Sequence, residues 1–261
     1  LLRWSPGPPR PPERVGWRVN ATAPPGPIVA GHQPNFFPWF GYFEKMRKCD
    51  VFVFSNDVRY PKQTYVNQVE VPIHGQPSYL TLPVKYGHDE RIAGKLYFKD
   101  EKILVDLLRT VRINFSREPH FAELEPILAE FERAYWAHET LADLNIAMIL
   151  HIAGLLGVRP KTVRGTDLGL EAYHRNERLI RRCELLGSRV YLSGQGADAY
   201  QDEAQLRAAG IELRRIDYGI GQKTLGEDLR YSILYAVAKV GIAALARAMA
   251  DADFEPVPIP N

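Results

Sequence analysis

The sequence predicts an α/β protein with a mostly parallel sheet flanked by helices, an inserted β-hairpin and a helical segment. Three observations carry that expectation. Ile28-Val29-Ala30 is a short apolar run ending at Gly31-His32, a helical stretch follows, and Val51-Phe52-Val53-Phe54 reads as a buried strand. Strand, helix, strand at this spacing is a βαβ unit, which implies parallel pairing and a right-handed crossover. A second set of alternating strands and helices fills the last third of the chain, so the whole is Rossmann-like.

The elements follow in order. Residues 1–27 hold eight of the twenty prolines and a net charge of +3 from four Arg and one Glu. Proline fixes φ and lacks a backbone donor, so a disordered, dispensable leader is expected. The first helix spans about 39–48. Residues 65–71 alternate in polarity, His74-Gly75-Gln76-Pro77 reads as a turn, and 79–84 returns, which makes a hairpin with one solvated face. Residues 101–156 are helical by periodicity: Ile103, Leu104, Leu107, Leu108 and Val111 share a face, and Leu144–Leu156 is apolar enough to be central. A helix over about 176–186 stops at Gly187, as a left-handed cap requires. Strands then begin at Val190 and Ile211, with a helix over 204–209 between them. Thr224-Leu225-Gly226-Glu227 has capping-box spacing for one long helix reaching Ala250. Residues 28–250 read as a single domain, and 251–261 as a Pro-rich tail.

Composition narrows the function classes. The 261 residues carry 33 Lys+Arg against 31 Asp+Glu, a balance that argues against a dedicated nucleic-acid binder. Two cysteines exclude a disulfide scaffold and suit a reducing cytoplasm. No stretch approaches the ~18 apolar residues a membrane span needs, and no secretory signal precedes the first strand. Cys49 and Cys183 read as small core residues without an activating partner. The remaining histidines show no metal-ligand spacing, and His151 in an apolar helix reads as a core histidine.

Chemistry is expected in the loops after strands, because ligands of open α/β sheets bind beyond the carboxyl ends of strands. His32-Gln33-Pro34-Asn35 is the densest polar cluster there, although an Asx-type turn would use the same residues. Asn56-Asp57-Val58-Arg59-Tyr60 follows the second strand. If the two strands are neighbours, His32 and Asp57 emerge about 5 Å apart at the backbone, where Asp57 would orient His32 as a general base. Ser193-Gly194-Gln195-Gly196 is a third such loop, whose glycines suit close approach of backbone donors to an anion. It is neither a P-loop nor GxSxG, so Ser193 is not read as a nucleophile. Between Arg159 and Arg189 lie eight Lys/Arg and four Asp/Glu, and Arg175, Arg178 and Arg182 recur at helical spacing. Arg178 and Arg182 are candidate phosphate partners, and a solvated basic face is the plainer alternative.

The string GHQPNFFPWFGYFEKMRKCDVFVFSNDVRY resembles the opening signature of the WbqC-like family: His32, Gln33, Pro34, Asn35, Pro38, Trp39, Gly41, Tyr42, Phe43 and Asp50. The resemblance runs on through Asp57, Tyr60, Leu82-Pro83-Val84, His120-Phe121, Asp143-Leu144-Asn145, Tyr191 to Gly194, Tyr200, Gln222 and Ser232-Ile233. Asn56, Gln68 and Tyr235 depart from it, standing where the family tends to have Asp, Arg and Asp. The resemblance implies a biosynthetic setting in surface-glycan or natural-product pathways, and transfer of glycyl or other acyl groups to amino-sugars. The strand–His–helix–strand start is also similar to HxGH nucleotidyltransferases and pantoate–β-alanine-ligase-like enzymes, at the level of fold alone.

Three function classes follow. The first is an acyl or aminoacyl transferase acting on an amine, with His32 as base and Asp57 orienting it. Gln33, Asn35 and the Gly194–Gly196 backbone would bind the carbonyl oxygen or an anion, and Tyr60, Asn67, Ser193 and Gln222 would contact substrate. Its partners would be a small-molecule amine, a nucleotide-sugar or a carrier-bound acyl group, with no metal and no nucleic acid. The second is a nucleotide-dependent ligase or nucleotidyltransferase needing a nucleotide with Mg²⁺. The third is a non-catalytic binding protein of such a pathway.

Overall fold

The computed structural model describes residues 26–61, 64–86, 91–194 and 201–250. The proline-rich leader before residue 26, Gly196 and the tail from residue 251 lie outside them. Five strands form one parallel sheet: β1 (Ile28–His32), β2 (Val51–Phe54), β5 (Lys161–Arg164), β6 (Val190–Ser193) and β7 (Glu212–Arg215), in the order β5-β2-β1-β6-β7. Every pairing in it is parallel, with His32 opposite Phe54 and Val29 opposite both Val51 and Tyr191. The antiparallel hairpin of β3 (Gln68–Ile73) and β4 (Gln76–Thr81) is a separate two-stranded sheet.

The strands alternate between two cores, as a period of two dictates for a sheet covered on both faces. Ala30, Phe52, Phe54 and Leu192 pack on one face, against α1 (Phe40–Arg47), α4 (Leu141–Leu155) and α8 (Ile233–Val240). Val29, Val51, Val53, Tyr191 and Leu213 pack on the other, against α5 (Arg175–Leu185) and α6 (Glu203–Ala208). The first core is the larger because α2 (Glu101–Phe115), α3 (Glu125–Ala137) and the hairpin extend it.

Several sequence expectations are corrected. The helix expected to run from Thr224 to Ala250 is three: α7 (Gly219–Leu225), α8 and α9 (Ile242–Ala250). Gly226 at φ 56° ends α7, Gly241 at φ 87° breaks the chain again, and α8 and α9 meet at 103°. Thr224 is no cap: its hydroxyl donates to the Ile220 carbonyl, while Ser232 caps α8 by accepting from the Leu234 N–H. The hairpin turns at His74-Gly75 alone, both left-handed, so Gln76 and Pro77 belong to β4. The helical stretch 101–156 breaks into α2, α3 and α4, capped by Asp100 and Thr140 at the starts of α2 and α4. β5 escaped the sequence reading because Lys-Thr-Val-Arg is short, polar and at the sheet edge. Among the described residues, no single helix is long and apolar enough to cross a membrane.

Candidate active site at the switch point of the sheet

From β1 the chain crosses to β2 on one side, and from β6 it crosses to β7 on the other. The crossovers diverge between β1 and β6, and their carboxyl ends leave a crevice there, the place where open α/β sheets take ligands. A cavity of about 1140 Å³ occupies this position. His32 and Gln33 after β1, Ser55 and Asp57 after β2, and Ser193 and Gly194 after β6 line it. Helix α5 contributes Arg175, Arg178 and Arg182, and α1 contributes Lys45. Trp39 and Tyr218 form an aromatic wall, with ring centroids 4.7 Å apart.

The loop carrying His32-Gln33-Pro34-Asn35 is fastened at each end. Asn145 on α4 donates its amide hydrogens to the carbonyls of Pro34 at 2.8 Å and Val66 at 2.7 Å. Ser232 donates to the Phe37 carbonyl, and the Ile233 N–H donates to that of Pro38. Phe37 is held at φ 39°, a left-handed value that a bulky side chain tolerates only when its surroundings impose it. The Gln33 carbonyl accepts from the Tyr42 hydroxyl at 3.0 Å and from His32 Nδ1 at 3.1 Å. A carbonyl only accepts, so Nδ1 carries the hydrogen and Nε2 keeps its lone pair. Burial, and secondarily the charge of Lys45, lower the His32 pKa to about 4, so the ring is neutral near pH 7.

Asp57 faces Arg178 rather than His32. Its fully buried carboxylate lies 3.3 Å from Arg178 Nη1, and neither oxygen has a hydrogen bond. Gly165 makes room for it, since a Cβ there would run into Asp57 Oδ1. Arg178 is further tied by donating Nε to the Tyr173 carbonyl at 2.8 Å. Arg182 is held differently. It is 2% exposed, its Nε has no hydrogen bond, and no carboxylate reaches it among the described residues. Its guanidinium lies over Gly31, where a Cβ would run into Nη1. Gly31 shares the strand face of Val29, on the α5 side, so a missing side chain on β1 gives Arg182 its bed.

Lys45 approaches from the α1 side. It is 4% exposed, and Nζ donates to the Gly31 carbonyl at 2.9 Å. Burial lowers its pKa to about 8, with a smaller push from Arg182. Glu44, next to it, points the opposite way and accepts from Lys48 and from the Ile220 and Gly221 N–H groups, which anchors the start of α7 beside Tyr218.

The other sequence candidates stand elsewhere. Asn35 is buried outside the crevice wall, and Asn67 donates to the Leu82 carbonyl at 3.2 Å inside the hairpin region. Tyr60 carries Lys95 Nζ 4.9 Å above its ring, and Gln222 is exposed on α7; neither lines the crevice. Ser193 donates to Gln201 Oε1 at 2.7 Å. Cys49 and Cys183 are buried, with thiol pKa values pushed up to about 12 by burial, which makes both inert. Among the described residues no group of three His, Cys, Asp or Glu is placed to hold a metal ion. Lys45 and Tyr218 escaped the sequence reading, and Trp39 entered it only as part of the family signature and not as a site residue. Their roles needed the tertiary fold, since nothing in Phe43-Glu44-Lys45-Met46 tells Lys45 from the charged residues around it.

Comparison with known proteins gives the chain its kin. The model of the WbqC-like protein family matches residues 33–223. The chain belongs to that family. An uncharacterized protein of Mycobacterium tuberculosis is 28% identical over 201 residues, which cover 73% of this chain and 82% of the relative. Asn56, Gln68 and Tyr235, the positions expected from the sequence to depart from the family pattern, lie off the crevice wall. Asn56 donates to Thr166 Oγ1 and accepts from the Thr166 N–H. Gln68 starts β3, and Tyr235 packs on Phe115 and Tyr231.

Proposed function

We propose that this WbqC-like protein is a biosynthetic transferase that joins an acyl or aminoacyl group to an amine in the switch-point crevice. The observation that carries the reading is His32. It is a neutral imidazole with its Nδ1 hydrogen committed to the Gln33 carbonyl and its Nε2 lone pair left for a proton, set in the crevice where the fold takes ligands. The family resemblance supports the acyl chemistry.

In this reading the amine nitrogen attacks the donor carbonyl carbon. The C–N bond forms, the amine proton passes to His32 Nε2, and the bond to the leaving group breaks with its electron pair departing on that group. Gln33 and the Gly194 backbone would face the carbonyl oxygen as it gains charge. The Gln33 carbonyl orients the imidazole, and Asp57 acts one step away by holding Arg178 in the wall.

The test is His32→Gln assayed with activated acyl donors and amino-sugar acceptors. Turnover should fall by roughly 10²- to 10⁴-fold, the usual worth of a positioned acid or base, with the melting temperature within a degree or two. A folded variant with full turnover removes His32 from the chemistry.

A second reading, nucleotide-dependent ligation or nucleotidyl transfer, is favoured by the cationic wall and the Trp39–Tyr218 pair. It requires Mg²⁺, and the two carboxylates in the wall among the described residues each face a guanidinium, Asp57 facing Arg178 and Glu171 facing Arg91. A magnesium ion would therefore draw its ligands from the triphosphate and water. Calorimetry with ATP, CTP and a nucleotide-sugar, with and without Mg²⁺, separates the readings: tight Mg²⁺-dependent triphosphate binding favours the second.

A further inference from the structure

We infer that Arg182 and Lys45 form a subsite for a phosphoryl group, so that the ligand of this crevice is phosphorylated. The inference rests on the crevice being the functional site, and not on which group is transferred there.

Two cationic side chains are buried around Gly31, at 2% and 4% exposure, one from α5 and one from α1. They reach the same residue from opposite faces of the sheet: Lys45 binds the Gly31 carbonyl and Arg182 lies over the Gly31 Cα. Burying a charge is costly unless it is paired, and a buried guanidinium normally meets a carboxylate. Here, among the described residues, the two carboxylates of the wall, Asp57 and Glu171, are engaged elsewhere. Arg182 Nε has no hydrogen bond either, and the residue lines the cavity. Since no described carboxylate supplies it, the partner we infer is an anion that enters from outside.

The two cations choose its class. A carboxylate monoanion neutralises one of them, whereas a phosphoryl dianion neutralises both. The planar fork of Arg182 and the point charge of Lys45 suit a tetrahedral oxyanion. His32 stands in the same cavity with a lone pair, and its charged and titratable surroundings are Lys45 and Tyr42 on α1, Asp57 after β2, Arg178 and Arg182 on α5, and Tyr218. A dianion between these cations offsets their effect on the imidazole and increases its appetite for a proton. Ligand binding would thereby make His32 the stronger base that amine chemistry requires.

The experiment titrates the full-length protein with inorganic phosphate and with sulfate, against acetate and chloride at equal ionic strength. Calorimetry should show phosphate and sulfate binding, and acetate at least about tenfold weaker. Arg182→Met and Lys45→Met should each weaken phosphate binding by roughly 10- to 100-fold, the loss that hydrogen bonds to a charged group carry. Arg182→Met should also melt higher than the parent without ligand, because an uncompensated buried charge is removed. A purely structural arginine would give a lower melting temperature and unchanged phosphate affinity, which overturns the inference. Should Arg182→Met fail to fold, Lys45→Met and the NMR titration of His32 with sulfate decide: an unmoved His32 pKa overturns it. ADP, glucose 1-phosphate and phosphopantetheine then distinguish the source of the phosphoryl group. The one that displaces phosphate with Arg182 dependence identifies it, and displacement by none refutes it. Loss of turnover in His32→Gln is independent of all these outcomes.

Discussion

At the scale of single residues, the crevice works by withholding partners. His32, Lys45 and Arg182 each sit where burial opposes charge, and their neighbours only partly compensate. For His32 this has a stability consequence. The folded pKa is about 4 and the ordinary value is 6.5, so between those limits the unfolded chain binds the proton and the folded chain does not. Stability should therefore fall as pH drops from about 6.5 toward 4, and be insensitive to this group above. Urea midpoints measured across that window for the parent and for His32→Gln should converge at high pH, with the variant losing less toward acid. Lys45 gives the opposite limit. Its pKa is about 8, so anion affinity should weaken as pH rises through that value in the parent, and stay flat there in Lys45→Met. The histidine was legible in the sequence because it follows an apolar strand directly. The lysine was not, because its role depends on which side of a helix buried from Phe40 to Met46 meets β1.

At the scale of elements, rigid supports do the positioning. Asn145 ties α4 to the loop after β1 through the Pro34 carbonyl and to the segment leading into β3 through the Val66 carbonyl. Asn145→Ala leaves both carbonyls unpaired in a dry interior and should cost on the order of 2–4 kcal/mol, read from the denaturant midpoint at unchanged slope. Turnover should fall with it even at temperatures where the protein stays folded, because the loop holding Gln33 loses its anchor. The first βαβ unit was legible for a physical reason: Val51 to Phe54 is buried on both faces and cannot be mistaken for a surface strand. β5 was hidden because an edge strand needs no apolar run, and the supposed helix 224–250 was misjudged because two glycines with positive φ override an apolar periodicity. Arg175, Arg178 and Arg182 share the crevice as their spacing predicted, yet spacing alone could not tell that Asp57 engages one and Gly31 makes room for another. Asn67, Tyr60 and Gln222 carried the polarity of a site, but that polarity serves a hairpin, a cation–ring contact and solvent.

At the scale of the whole molecule, a ligand in the crevice touches strand ends on both sides of the switch point. It therefore bridges the β5-β2-β1 half of the sheet to the β6-β7 half, and binding should register as global stabilisation. At a hundredfold excess over its dissociation constant a ligand specific for the folded state adds about 2.7 kcal/mol, which thermal melting with phosphate would detect as a concentration-dependent rise. Amide exchange should slow at β1 and β6 together, and slowing confined to α5 would contradict the bridging geometry. The strand order carries one more consequence, for biogenesis. β1 is the centre of the sheet, yet its second neighbour, β6, is translated some 160 residues later. For most of synthesis one flank of β1 is an open row of amide and carbonyl groups, ready to template the wrong strand. A nascent chain arrested before residue 190 should recruit holdase chaperones, and release them once Val190 to Ser193 has emerged from the ribosome.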